Sequence, residues 1–188
     1  KGKIMSKQKT LFQIPYWHIK PKSFSKKKKE IEKLIVGYPE NKLGLQEFYT
    51  NRQGQRAKLL ENFVSIFREE IELLINDIQM DLAITNVWSV SYQKGDYQSP
   101  HNHGGVGLSA IMYLDLPKET PGTLFLQPWN DWDTDQSQYG EVMVKEGDIV
   151  VVPSFVAHYT KPNKTDDVKR VIAWDMKPAG SGPLGEYS

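Results

Sequence analysis

From Gln55 to Met80 the apolar residues Leu60, Phe63, Val64, Phe67, Ile71, Leu74, Ile75 and Ile78 return at intervals of three and four. That rhythm predicts one long amphipathic helix, whose apolar stripe needs a layer to lie on. A shorter helix is predicted upstream, capped by Ser23 or Ser25, buried through Ile31, Leu34 and Ile35, and stopped after Val36 by Gly37 and Pro39. Lys26 to Lys29 fall in its first turns and read as a solvated face. Before it, Leu11 to His18 predicts a short strand that Pro15 confines to a sheet edge.

Beyond Met80 the period shortens. Runs rich in Val, Ile, Tyr and Trp, separated by Gly, Pro, Asn and Asp, predict eight strands at 83–92, 99–103, 107–116, 122–127, 141–145, 148–152, 155–160 and 168–176. Gly147-Asp148 reads as a hairpin turn. Short strands at such intervals indicate a mainly β sandwich or barrel, with the two helices packed on one outer face. One domain is expected, with helical support over 1–81, a β core over 82–178 and a loose Gly- and Ser-rich tail over 179–188.

Composition narrows the class. The 24 basic residues nearly balance 23 acidic ones, a net charge of +1 that gives no reason to expect nucleic acid as a partner. Cysteine is absent, which excludes disulfides, thiolate metal sites and a cysteine nucleophile. No apolar run reaches the roughly 18 residues of a membrane span, and the N-terminus lacks a signal-peptide core. A soluble cytoplasmic protein is expected, in the host cell if the source is viral. Met5 reads as a natural start preceded by four extraneous residues, Lys1 to Ile4.

Three of the four histidines carry the candidate chemistry. His101 and His103 stand two apart in Ser-Pro-His-Asn-His-Gly-Gly, and on an extended segment two such imidazoles point to the same face. His158, in Pro-Ser-Phe-Val-Ala-His, can supply a third ligand to one divalent transition metal. The fourth, His18, reads as a hydrogen-bonded histidine at a strand end. Gly104-Gly105 lets the chain turn close to a metal, or forms a plain loop. Trp129 and Trp132 share a stretch with Asp131, Asp133 and Asp135 between two strands, where they either dock a substrate of apolar and cationic character or cap the sandwich end.

In order, these pieces resemble the Fe(II)/2-oxoglutarate-dependent oxygenases, in particular the prolyl-hydroxylase-like and the phage or bacterial group. The resemblance runs from Asn86 to Met176 and rests on several motifs. They are Tyr92 with its Lys-Gly-Asp turn, Gln-Ser-Pro-His101-Asn-His103, Leu-Ser-Ala-Ile-Met-Tyr113-Leu, Pro-Gly-Thr-Leu-Phe, Gly147-Asp148-Ile-Val-Val-Val-Pro-Ser, His158, and Arg170 with its strand. It implies a double-stranded β-helix core of jelly-roll or cupin-like form, Fe(II) as cofactor, and 2-oxoglutarate and molecular oxygen as co-substrates.

The family holds iron by H-x-D or H-x-E and a distal histidine, so His101 and His158 match while His103 stands where a carboxylate is usual. It is either a ligand in the carboxylate's place or a residue behind the ligands, with water or an acid such as Asp115 or Asp175 completing the set. Arg170 resembles the anchor for the far carboxylate of 2-oxoglutarate, and Tyr113 the tyrosine that assists it. Ser109 shares Tyr113's parity on its strand. Tyr92 resembles another pocket tyrosine, or fills the core.

The implied activity is hydroxylation of an unactivated C–H bond, with a prolyl residue of a peptide or protein as the leading substrate and no metal-independent catalytic group. Two alternatives stay open. One is a cupin-type three-histidine metalloenzyme that does not use 2-oxoglutarate; the other is a non-catalytic, metal-stabilised jelly-roll binding module. Neither a nucleic acid nor a membrane is an expected partner.

Overall fold

The computed structural model describes residues 12–35 and 60–180, together with the backbone of 41–42, 49–50 and 57–59. Several expectations fall outside the described residues: Leu11 at the head of the first strand, the helix stop at Gly37 and Pro39, the start of the long helix at Gln55, residues 1–5, and the tail from 181 on.

Two sheets face each other. The larger has seven strands in the order β1 (Trp17–Ile19), β9 (Ile149–Pro153), β6 (Leu108–Asp115), β11 (Lys169–Pro178), β4 (Leu82–Tyr92), β3 (Tyr49–Thr50) and β2 (Asn41–Lys42). The smaller runs β5 (Gln98–His101), β10 (His158–Thr160), β7 (Leu124–Asn130) and β8 (Ser137–Glu141). All described pairings are antiparallel. This is the expected mainly β architecture with helices on one sheet. Each of the eight predicted strands has a counterpart, although the run expected at 141–145 pairs at 137–141 instead. The two-residue strands β2 and β3 are too short to leave a periodic signal.

The larger sheet is buried on both faces, so its strands read as nearly continuous apolar runs. On one face Val87, Ala110, Met112, Leu114, Ile149, Val151, Ile172 and Trp174 meet the helices. On the other Trp88, Val90, Tyr92, Ile111, Tyr113, Val150, Val152, Val171 and Ala173 form the interior between the sheets. Because side chains alternate with period two, a shift of one residue moves a group from the helix side to the interior.

The helical layer comprises α1 (Phe24–Ile35), α2 (Ala57–Ile66) and α3 (Arg68–Ile78). The single long helix expected from the periodicity is bent at Phe67, whose backbone lies at φ −105° and ψ 18°. Main-chain bonding continues through the bend, from Phe67 N to Phe63 O and from Ile71 N to Phe67 O. Phe63 and Phe67 thereby both turn onto Trp174, at ring-centroid distances of 5.1 and 5.9 Å. Truncating the fully buried Phe67 to alanine would cost about 3–5 kcal/mol.

The lysine run at the start of α1 is not wholly a solvated face. Lys27 is buried and donates to both oxygens of Glu70, at 3.0 and 2.7 Å, and to the Ile66 carbonyl. Lys28 donates to Asp115 and Glu146, tying α1 to the sheet. Only residues 26 and 29 of the run fit the expected solvated face. Gly147 does form the tight turn, at φ +92°, with the Phe24 ring packed where a side chain would stand. His18 Nε2 donates to Asp148 Oδ2 at 2.8 Å at a strand end, as read from the sequence. Among the described residues no helix is long and apolar enough to cross a membrane.

Candidate metal centre and active site

β5, β10 and β7 lie side by side, and the register sets His158 opposite both His101 and Phe125. His103, just past the end of β5, is held by its backbone N–H donating to the Ser154 carbonyl at 2.9 Å. The three imidazoles consequently meet at the interior face, with candidate ligand atoms all within 4.8 Å of one another.

Each ring is fixed by a partner for Nδ1. His101 Nδ1 donates to the Ser99 carbonyl at 2.9 Å and His158 Nδ1 to the Val156 carbonyl at 3.1 Å. His103 Nδ1 meets Asp175 Oδ1 at 2.6 Å. These bonds leave Nε2 of each ring as the nitrogen with a lone pair to give, the arrangement that metal-binding histidines use. Gln98 shows the same thing from the cavity side. Its Nε2 donates to His101 Nε2 at 3.0 Å, while its Oε1 accepts from the Tyr92 hydroxyl at 2.7 Å.

The electrostatics suit a cation. Burial pushes His158 down to about 3, reinforced by the neighbouring His101, so its ring is neutral and able to ligate. Burial pushes the Asp175 carboxyl up, but hydrogen bonds from His103, Ser109 and Asn86 outweigh it and hold it below the usual carboxylate range. Asp175 is therefore an anion behind His103, and Ser109 Oγ braces it at 3.1 Å. The donor set fits a divalent iron or a similar borderline ion: three neutral nitrogens, one of them backed by a carboxylate.

The other expected residues divide. Tyr92 lines the cavity with the histidines, Ser109 and Thr123. Tyr113 is fully buried beside it, and its hydroxyl accepts from the Thr123 N–H at 3.1 Å. Arg170 is a correction. It faces the helices, donating from Nε to Asp115 and from Nη2 to Glu32 at 3.0 Å. Asp115, engaged by Arg170 and Lys28, is likewise turned away from the histidines.

The interior position belongs to Lys169, which is 1% exposed. Its Nζ stands 5.6 Å from the Tyr92 ring and 5.9 Å from the Tyr113 ring, and donates to the carbonyls of Pro121 and Gly122 at 2.9 and 3.3 Å. Among the described residues no carboxylate lies within ion-pair distance of it. Burial pushes its ammonium down to about 8, partly opposed by the negative charge of Glu141. The register puts 169, 171, 173 and 175 on the interior face. Gln98 left no signal in the sequence.

The two tryptophans also part company. Trp129 borders a groove of about 430 Å³ together with Phe125, Val152, Val156 and Tyr139. Trp132 stands 94% exposed at the β7–β8 turn and borders no part of that groove.

Residues 86–175 match the profile of a family described as "Putative 2OG-Fe(II) oxygenase". No curated protein matches the chain in sequence. Among solved structures, the non-haem α-ketoglutarate-dependent epimerase SnoN from nogalamycin biosynthesis superposes with a TM-score of 0.69 at 14% identity, over 88% of this chain and 78% of its own. HygX from Streptomyces hygroscopicus, crystallised with nickel, 2-oxoglutarate and hygromycin B, gives 0.65 at 10% identity, over 89% and 84%. A prolyl-4-hydroxylase of Pseudomonas putida gives 0.60 at 14% identity, over 89% and 94%.

Proposed function

We propose that this chain is a member of the 2OG-Fe(II) oxygenase family, whose profile residues 86–175 match, and that it is a dioxygenase hydroxylating an unactivated C–H bond, with a prolyl residue of a peptide or protein as its target. We further propose that the chain works as one oxygenase domain, with the helices of its first part supporting the sheet that carries the site. The observation that carries the reading is the pairing of three converging imidazoles with a buried, carboxylate-free Lys169 beyond Tyr92.

His101, His103 and His158 would hold the iron through Nε2. Bound there, iron supplies the redox chemistry that couples oxidative decarboxylation of 2-oxoglutarate, to succinate and CO2, with oxygen transfer to the substrate. Three neutral ligands leave the whole dicationic charge to be met by the dianionic co-substrate, which suits a site without a carboxylate ligand. Lys169 takes the role first expected of Arg170: its ammonium receives the far carboxylate, a charge-assisted contact in a dry setting. Tyr92 and Tyr113 wall that ammonium from water. Asp175 orients His103 by accepting from its Nδ1–H, which turns Nε2 toward the metal. Gln98 yields His101 Nε2 to the metal while Tyr92 still holds its carbonyl.

The test is iron-dependent turnover of the co-substrate. Purified chain with Fe(II), ascorbate and oxygen should convert 2-oxoglutarate to succinate slowly even without the primary substrate. Succinate no higher than in a metal-free control would contradict the proposal and leave the cupin-type reading in its place.

A further inference from the structure

The 430 Å³ groove lies between two open edges of the sandwich. One wall is the extended segment Phe12–Tyr16, just before β1; the other runs from Gln138 to Val142 along β8. Each wall contributes five consecutive residues. Successive side chains of an extended chain point to opposite faces, so an unbroken run of lining residues means that the backbone edge itself borders the groove. β8 is the last strand of its sheet and, among the described residues, pairs only with β7. Its outer edge therefore offers N–H and C=O groups to whatever enters.

The floor is apolar and is built from residues that touch the metal centre. Phe125 and Val156 form part of it, the Phe125 ring lies 6.0 Å from that of His158, and the Val156 carbonyl holds His158 Nδ1. The rim is aromatic and carries one carboxylate, Glu141. Trp129 and Tyr139 are 48% and 57% exposed there, and Tyr139 already faces one cation, Lys161 Nζ, at 5.5 Å. Of the five carboxylates between Glu119 and Val144, a stretch without lysine, arginine or histidine, Glu141 alone lines the groove. Glu141, on the groove wall, is close enough for its charge to act on Lys169.

We infer that this groove binds the substrate, and that the substrate is a basic polypeptide segment, bound extended as an added strand on β8 with lysine or arginine side chains over Glu141, Trp129 and Tyr139. The inference rests on the oxygenase reading of the adjoining centre. β8 has five residues, so a segment of similar length is paired. A small organic cation would use the rim but leave the strand edge unused.

The test measures binding without turnover. Anaerobic Fe(II)-loaded protein is titrated into a fluorescein-labelled decapeptide of alternating Lys and Val, and anisotropy is read at low salt. The alternating Glu and Val peptide should bind at least tenfold more weakly. So should the Lys and Val peptide N-methylated at every second backbone amide. Trp129→Ala combined with Glu141→Gln should weaken binding at least tenfold while circular dichroism and iron stoichiometry stay unchanged. Should that variant misfold, the peptide arms on the unmodified protein still decide. Equal binding of the Lys and Glu peptides overturns the inference, as does indifference to N-methylation or complete displacement by spermine at matched charge. Failure here with iron-dependent succinate production intact removes only the groove assignment; absence of succinate removes the oxygenase reading while the peptide measurements still stand.

Discussion

Asp175 Oδ1 lies 2.6 Å from His103 Nδ1, so the acid stands behind the imidazole and does not replace it at the metal. A carboxylate in that position fixes the ring's orientation and raises the basicity of its other nitrogen. Asp175→Asn should therefore weaken Fe(II) binding about 10- to 100-fold while the protein still folds. Anaerobic calorimetry reads the change. Unaltered affinity would show that the carboxylate does not act through His103.

Removing an imidazole should have a larger effect. His101→Ala, His103→Ala and His158→Ala should each bring iron stoichiometry near zero, because each deletes one of three protein bonds to the metal. The cores on either side of the larger sheet do not depend on these rings, so circular dichroism should be unchanged. His103→Asp should retain iron, since a carboxylate is the usual group at the matching position of the oxygenases this chain resembles. Full iron occupancy in His103→Ala would make that residue a bystander.

The neighbours Lys169 and Arg170 should separate cleanly. Lys169→Met removes a charge-assisted contact of roughly 1.5–3 kcal/mol and should weaken 2-oxoglutarate binding about tenfold or more at unchanged iron affinity. Arg170→Ala should leave the co-substrate within about twofold and lower the melting temperature, since it removes the arginine contacts of Glu32 and Asp115 and leaves Asp115 with Lys28 alone.

Burial also makes Lys169 a source of pH dependence. Its folded value of about 8 lies below the ordinary lysine value of 10.5, so the unfolded chain binds more protons between those limits. The charged form costs stability in full below pH 8, and the cost fades as pH rises toward 10.5. Relative to Lys169→Met, the unmodified protein should gain stability across that window, by on the order of a few kcal/mol. Denaturant titrations at pH 7 and pH 10 check the sign. Co-substrate affinity should fall as pH rises through the same window.

Asp115 gives the opposite case. Burial raises its carboxyl, but Arg170 and Lys28 outweigh this and hold it below the usual range. Its contribution is complete above the unfolded value and is lost as pH falls through the folded one. Asp115→Asn should accordingly flatten part of the acid limb of stability against pH.

Much of this was legible in the chain, for reasons that particular residues make plain. His101 ends β5 and His103 stands two residues on, a spacing that is plain in the sequence, and His158 is near enough to a turn for its strand to be placed. Lys169 was missed because Val171, Ile172, Ala173 and Trp174 are apolar on both faces, which erases the alternation that sets parity. A register shift between Arg170 and Val171 further obscures it. Asp175 was seen as a possible ligand, yet only three-dimensional pairing with His103 gives its role. The bend at Phe67 leaves no trace in periodicity, because the apolar spacing on either side is kept.

The most direct test of the central account is to titrate anaerobic Fe(II)-loaded protein with 2-oxoglutarate and record the visible spectrum. Chelation of the keto acid at a three-histidine iron, with its far carboxylate on Lys169, predicts a weak metal-to-ligand charge-transfer band. The band should saturate at one equivalent in the unmodified protein and in Arg170→Ala, but require about tenfold or more co-substrate in Lys169→Met. No band in protein shown to hold one iron would contradict the account.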